Sequence, residues 1–439
     1  MREIVPIVSG AVRKLVSVPV LRTRVVGWVV GWVVWAAMLV AGRAAWADGP
    51  AAPSASAKPA KRVELGLVPL VGGDTDVGLG VGLLSTIAGV APKVQPYRWA
   101  VESAGFISFK SSGGSLIIPY QDYSVQWTAP QLLNGRLRLE LRPSFTKETT
   151  QRYYGLGNAS PAPSADVPAR DYYGRTHPTV WLRLRYRIWE HLSAGLGSSY
   201  TENWLNVKPA STLGQEMQTG TPEQRELLGG AARHGVFLVE AIGLWDSRDS
   251  ETVSERGQAY EARLRLSPSP SFAADALPYA YEQLNLSARL YWSLIPDRLI
   301  VGLRLVGDLQ FGHPPFYELA RYDDTFALGG QNGVRGVPGQ RYYGKIKTFG
   351  NFEVRSQLFR FKLFGKDMTL GAAVFFDAGR AWADWSRQPA LDGSGRGLKY
   401  GTGGGLRLQQ GKTFVVRADL AWSPDARPVG AYVGAGQTF

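Results

Sequence analysis

Strict two-residue alternation over long segments constrains this chain more than any other feature. In Arg136-Leu137-Arg138-Leu139-Glu140-Leu141-Arg142 every odd position is leucine and every even one is charged. A strand turns successive side chains to opposite faces, so the segment has one apolar and one charged face; a helix would scatter both sets. The pattern recurs over Val180–Ile188, Tyr260–Leu266 and Leu299–Phe311. A soluble sandwich and a membrane barrel both use such strands, and length separates them. Many segments run about 10 to 14 residues, the span of a tilted transmembrane strand, against about five or six for an ordinary soluble one.

Composition fits the barrel. A hydrophobic content of 45% is too polar for a bundle of membrane helices and suits strands with one wet face. The 14 Trp and 19 Tyr supply rings of the kind that collect at the two membrane–water interfaces. There is no cysteine, which excludes a disulfide framework and a thiolate zinc site. His177, His191, His234 and His313 form no close pair, so no metal and no cofactor is expected. The sequence contains no GxSxG elbow, HExxH or Walker lysine, so an enzyme is not expected. Gly78-Leu79-Gly80-Val81-Gly82 lacks the following helix that phosphate binding needs, and reads as the barrel's first strand.

Part of the +13 net charge lies at the N-terminus. Arg2, Arg13, Lys14, Arg22 and Arg24 precede an apolar run from Val25 to Gly42, and Ala45-Trp46-Ala47 matches the small-x-small site of signal peptidase. Residues 1–47 are therefore expected to be a signal peptide removed after Ala47, with a membrane anchor as the alternative reading. Residues 48–62, rich in Ala, Pro and Ser, read as a disordered periplasmic tether, and 63–439 as one barrel. About fifteen strands are legible from residue 75 onward, and an even count needs one more, in 63–73 or 148–158, which makes about sixteen. No nucleic-acid partner is expected.

Between Phe311 and Tyr342 runs a long connection containing Leu328-Gly329-Gly330-Gln331-Asn332-Gly333-Val334-Arg335-Gly336. It resembles the conserved loop of the BamA/TamA-like bacterial surface antigen family, with Val337 where the family usually has an aromatic. Further matches follow in the family's order: Asn351-Phe352-Glu353-Val354-Arg355, Phe375-Phe376-Asp377-Ala378-Gly379 and Tyr400-Gly401-Thr402-Gly403-Gly404-Gly405-Leu406-Arg407. Upstream, Asp246, Arg248, Asp249 and Gly257 look like the family's turn ahead of a glycine-led strand, and Tyr154-Gly155-Leu156-Gly157-Asn158 is also similar. The resemblance implies a transmembrane antiparallel β-barrel whose long loop folds into the lumen. There the loop arginine pairs with an inward acidic residue, a role that falls to Arg335 with Asp377, and with Glu353 as a second partner. Gly333, Val334 and Gly336 complete the lock.

Parity tests that pairing without the family. From Met368 to Phe376 the even positions are apolar and suit lipid, which turns Asp377 inward; Phe352, Val354 and Leu358 likewise leave Glu353 facing the lumen. Phe439, the last residue, shares its parity with Ala431, Val433 and Ala435 and resembles the closing signal read by the outer-membrane assembly machinery.

The resemblance implies a bacterial outer-membrane address and a role in assembling or inserting outer-membrane components through a weak seam between first and last strands. Family assembly factors carry POTRA domains ahead of the barrel, and 48–62 is too short for one, so a barrel without POTRA domains is expected, with outer-membrane lipid and a separate periplasmic protein as partners. A second reading is an anion-favouring pore, from the inward-parity residues Arg136, Arg138, Arg142, Arg183, Arg185, Arg187, Arg263 and Arg265. A third is a surface structural or adhesion protein.

Overall fold

Alternating segments become sixteen barrel strands in the computed structural model, which describes residues 63–439 except 75–76, 91–96, 113, 162–167, 252, 270–276, 323–324, 327, 364–365, 387, 411–413 and 425–428. The expected signal peptide and tether lie outside the described residues. In chain order the strands are β1 (Val63–Asp74), β2 (Gly78–Gly89), β3 (Trp99–Ser112), β4 (Tyr120–Gln131), β5 (Leu137–Arg152), β6 (Tyr172–Arg187), β7 (Leu192–Asn206) and β8 (Arg233–Asp246). They continue as β9 (Gly257–Ser267), β10 (Tyr281–Ile295), β11 (Leu299–Gly312), β12 (Ile346–Leu363), β13 (Lys366–Trp382), β14 (Lys399–Gln410), β15 (Phe414–Trp422) and β16 (Gly430–Ala435). Each pairs antiparallel with the next, and β16 returns to β1 to close the sheet. A closed sheet satisfies the backbone polar groups that lipid cannot.

The sixteenth strand is Val63–Asp74, so the glycine run at 78–82 belongs to the second strand and not to the first. Residues 148–158 do not form a strand of their own; β5 runs on to Arg152 and the rest turns into a loop. Gly66, Pro69, Gly72 and Gly73 break the apolar–polar alternation in β1, which is why the pattern hid it.

Outward positions are exposed and apolar, among them Leu65, Leu67 and Val71 on β1, Leu196 on β7 and Val374 and Phe376 on β13. Exposed tryptophans mark both rims: Trp189, Trp245 and Trp292 lie at the end with the short hairpins, and Trp385 and Trp422 at the end with the long loops. Barrels of this kind place short turns in the periplasm and long loops outside the cell, which fixes the orientation. Between Gln357 and Phe359 a bulge shifts the register of β12 against β13, and both Leu358 and Phe359 become exposed. Among the described residues no helix is long and apolar enough to cross a membrane.

The long loops fold over one mouth. After β7 come two short helices, α1 (Thr212–Thr219), capped by Ser211, and α2 (Pro222–Leu228), which opens on a capping box of Thr221 and Gln224. Leu213 and Leu228 pack with Tyr153, Leu156, Tyr173, Phe316, Tyr317 and Tyr343 into a dry core above the barrel. This places Leu156 of the Tyr154–Asn158 segment against Tyr343, its neighbour in an isolated bridge.

Candidate functional site

The loop between β11 and β12 enters the lumen. Gly329 and Gly330, at φ +106° and +78°, supply its sharp turn, closed by Gly330 N–H donating to the Val337 carbonyl at 2.8 Å. Val334 and Val337 are fully buried with Val306, Leu328, Tyr342, Phe349 and Ala381. Val337 thus keeps an apolar seat where an aromatic was the family's usual choice, and Tyr342 and Phe349 fill the space beside it.

This packing aims Arg335 at the barrel wall. Its Nε and Nη2 donate to Asp377 Oδ2 and Oδ1 at 2.7 and 2.9 Å, and its backbone N–H donates to Oδ2 at 3.1 Å. Nη1 donates to Glu353 Oε1 at 2.5 Å and lies 3.6 Å from Asp419 Oδ2. Beneath it the Phe375 ring centroid is 3.4 Å from the guanidinium carbon. Arg335, Asp377 and Glu353 all have zero solvent exposure. Burial works against the charge on Arg335, but Asp377 and Glu353 outweigh it and hold the guanidinium above its ordinary pKa. The planar fork accounts for the residue type, since only Arg offers two parallel donors to one carboxylate and a third to another.

Neighbouring residues make room. A side chain at Gly401 would collide with the Arg335 carbonyl, and one at Gly403 would meet the Phe375 ring and the Leu420 carbonyl. The glycine-rich segment of β14 is therefore the bed on which the loop lies. Gly336, at φ +90°, donates its N–H to the Tyr432 hydroxyl at 2.9 Å, and the Gly333 carbonyl accepts from Asn351 Nδ2 at 2.7 Å.

Five arginines, Arg304, Arg335, Arg355, Arg407 and Arg417, gather around three carboxylates, Glu353, Asp377 and Asp419. Dry charges cost several kcal/mol each to bury, so the network's net contribution to stability is small, but removing one member leaves its neighbours short of a counter-charge. Its consequence is a single defined position for the loop. Sequence reasoning missed Asp419, Tyr432 and Thr438. Asp419 alternates inward with Arg417 on β15, a signal that parity carries; Thr438 reaches the site only because the chain end turns.

Phe439 lies inside the barrel. Parity sets it on the lipid face with Ala431 and Val433, yet the backbone turns at Gly436 (φ +82°) and the ring lies inside, its centroid 6.0 Å from that of Tyr291. The turn residues lie elsewhere, at the periplasmic rim. Arg248 grips Asp246 with two bonds of 2.9 and 2.7 Å, and Asp249 Oδ1 accepts from the backbone of Glu255 and Arg256. Gly257 (φ +98°) has no space for a Cβ beside the Ser247 carbonyl. The geometry ties off the β8–β9 connection, and Gly257 shares a register row with Tyr291, Gly302 and Glu353 three strands along.

The pore arginines also divide. Arg183, Arg263 and Arg265 converge on Glu240, at 2.7, 3.9 and 3.6 Å, and Arg138 lies 2.6 Å from Glu140. Arg136 and Arg187 are exposed at the β4–β5 turn and do not line the lumen. Part of the expected positive lining is thus neutralised.

Comparison with known proteins agrees with this geometry. The Omp85 superfamily domain profile matches residues 108–439. BamA from Haemophilus ducreyi lacking POTRA domains 1-3 is similar in structure, with a TM-score of 0.57 at 13% identity over 85% of this chain and 70% of that one. CdiB from Escherichia coli is similar with a TM-score of 0.53 at 15% identity over 87% of this chain; the chain spans 64% of CdiB, less than two thirds of its length. No curated protein matches the sequence. With the profile covering most of its barrel and the Arg335 loop folded into the lumen, the chain belongs to the Omp85 superfamily and is a β-barrel of the bacterial outer membrane.

Proposed function

We propose that this barrel assists the assembly or insertion of outer-membrane components at the seam between β1 and β16. One observation carries the reading. β1 pairs with β2 over twelve residues but with β16 over two, Gly73↔Val433 and Asp74↔Tyr432. Among the described residues, Val63 to Gly72 therefore has one edge without a strand partner, on the periplasmic side of that pairing. Unpaired backbone facing lipid is costly, at several kcal/mol per group, so such an edge favours the arrival of another strand or of hydrated headgroups. Arg335 holds the loop beside that seam through β13, β12 and Tyr432, which keeps the lumen filled while the wall is weak. The partners this reading implies are outer-membrane lipid, a periplasmic protein that delivers clients, and the assembly machinery that inserts this chain itself. A strain depleted of the protein is expected to lose outer-membrane proteins or lipid; normal levels of both would reject the role.

A cavity of 580 Å³ between the loop tip and the β4–β8 wall, lined by Arg142, Arg175 and Arg183 together with Asp122, Glu148 and Glu240, supports the second reading, a solute path. Steady anion-selective current from the unaltered protein in a planar bilayer would favour that path over the seam.

A further inference from the structure

We infer that the 580 Å³ cavity between the loop tip and the β4–β8 wall is a binding site for a saccharide carrying one acidic group, with the sugar seated on Trp181 and its acid at Arg142. The inference deepens the solute reading of this cavity by naming the ligand, and rests on that reading for the cavity's being open to solutes.

Register brings the site together. Leu182 and Leu184 on β6 are exposed and face lipid, which turns Thr179, Trp181 and Arg183 inward. Trp181 stands opposite Arg142 on β5 and Ser199 on β7, and Thr179 stands opposite Ser144 and Thr201 in the same way. All of these inward residues border the cavity. A tryptophan at a rim anchors a barrel in the membrane interface; one that borders the lumen has no such use and offers a flat apolar platform to something inside. The platform is steadied from one side. The Arg183 guanidinium lies 4.8 Å from the Trp181 ring centroid and is held by Glu240 at 2.7 Å. Gly197 leaves room for that carboxylate, since a Cβ there would stand 2.5 Å from Glu240 Oε1.

Charge then decides the ligand class. Five arginines and four carboxylates line the cavity. Glu240 also lies 3.6 Å from Arg265, Glu148 holds Arg321 at 3.0 Å, and Glu318 lies 3.9 Å from Arg175. Among the described residues Arg142 has no carboxylate within ion-pair distance; its Nη2 lies 3.5 Å from the Ser124 hydroxyl. A lining so nearly balanced does not select a polyanion, and its one excess cation sets the ligand at a single negative group. Carboxylates only accept hydrogen bonds and guanidiniums only donate them, whereas each sugar hydroxyl does both, so a polyhydroxyl ligand satisfies the two sets at once. The Ser144 and Ser199 hydroxyls, which find no protein partner among the described residues, add two more groups of mixed capacity. A sugar ring is apolar on its face and hydroxylated at its edge, which matches an indole surrounded by serine, threonine and arginine. The volume also lies within the range of small-molecule pockets, about 300–1,000 Å³. Leu70, Gly72 and Val433 at the seam border the cavity as well, so the sugar head of a membrane glycolipid offers the same chemistry as a free saccharide.

Isothermal titration calorimetry on the full-length protein refolded in detergent tests the site with three soluble probes: a glucuronate-containing disaccharide, neutral maltose, and citrate as an anion without a sugar. The acidic disaccharide should bind about tenfold more tightly than maltose, and citrate should not bind. Arg142→Gln should bring the two sugars to equal affinity, and Trp181→Ala should weaken both about tenfold, with Trp181→Phe losing less. Arg136→Gln, at the exposed β4–β5 turn, should change nothing. Equal affinity for the two sugars in the unaltered protein, binding of citrate as tight as that of the acidic sugar, or undiminished binding in Trp181→Ala would overturn the proposal. Heat-modifiable migration on a gel shows which variants have folded, and Trp181→Phe decides should Trp181→Ala fail to. A diacylglycerol with a glucuronosyl head, binding in the same micelles more tightly than the disaccharide, would assign the ligand to the membrane; equal or weaker binding would assign it to free saccharide, and either result supports the site. Binding without bilayer current rejects the path and retains the site, whereas current without sugar binding rejects the site and retains the path.

Discussion

Arg335 and Asp377 face each other fork to fork, with Nε to Oδ2 at 2.7 Å and Nη2 to Oδ1 at 2.9 Å, and neither residue has any exposure to solvent. The pair joins a loop that enters from the cell surface to a wall strand, and so fixes the contents of the lumen.

Removing one partner is costly for that reason. Arg335→Ala would leave Asp377 buried without its ion-pair partner and Glu353 with Arg355 and Arg407 alone, and about 3–5 kcal/mol of stability should be lost. Arg335→Lys retains the charge without the fork and should lose less. Urea denaturation of the refolded protein, followed by tryptophan fluorescence, checks the order Ala, Lys, unaltered.

A reciprocal swap should not repair the damage. Arg335→Asp with Asp377→Arg places the new carboxylate against Glu353 and Asp419, which approached the original guanidinium at 2.5 and 3.6 Å. Like charges in a dry site repel strongly. The double variant is expected to stay as destabilised as either single one; full rescue would mean that Glu353 and Asp419 lie away from the pair.

The glycine bed of the loop makes a steric prediction. Gly401→Ala should displace the loop, because its Cβ would strike the Arg335 carbonyl, whereas Gly243→Ala on an outward position with nothing within 4 Å should have no effect. In planar bilayers the first should resemble Arg335→Ala, both conducting more than the unaltered barrel. Equal conductance in all of them would show that the loop does not fill the lumen.

Much of this is legible in the sequence alone. Leu137, Leu139 and Leu141 fixed a wall strand, and parity alone turned Asp377 and Glu353 inward, because a strand's geometry leaves each side chain only two faces. What stayed hidden depends on backbone departures from that rule. β1 was obscured by its glycines and Pro69, and Leu358 and Phe359 are both exposed because a bulge inserts one residue. Phe439 shares its parity with Ala431 and Val433, and its place in the lumen, set by the turn at Gly436, is not written in that pattern. The helices over the mouth were also missed, since each is two turns long and too short for a helical period to show.

The seam carries the functional account, and closing it covalently tests that account most directly. Cysteines at Val71 and Ala435, two residue pairs beyond Gly73↔Val433 in the same register, would bridge β1 and β16. Expressed in a depletion strain, the bridged protein is predicted to leave outer-membrane protein and lipid levels low, and to restore them when a reductant opens the disulfide. Full restoration with the disulfide intact would contradict the claim that this barrel works through its seam.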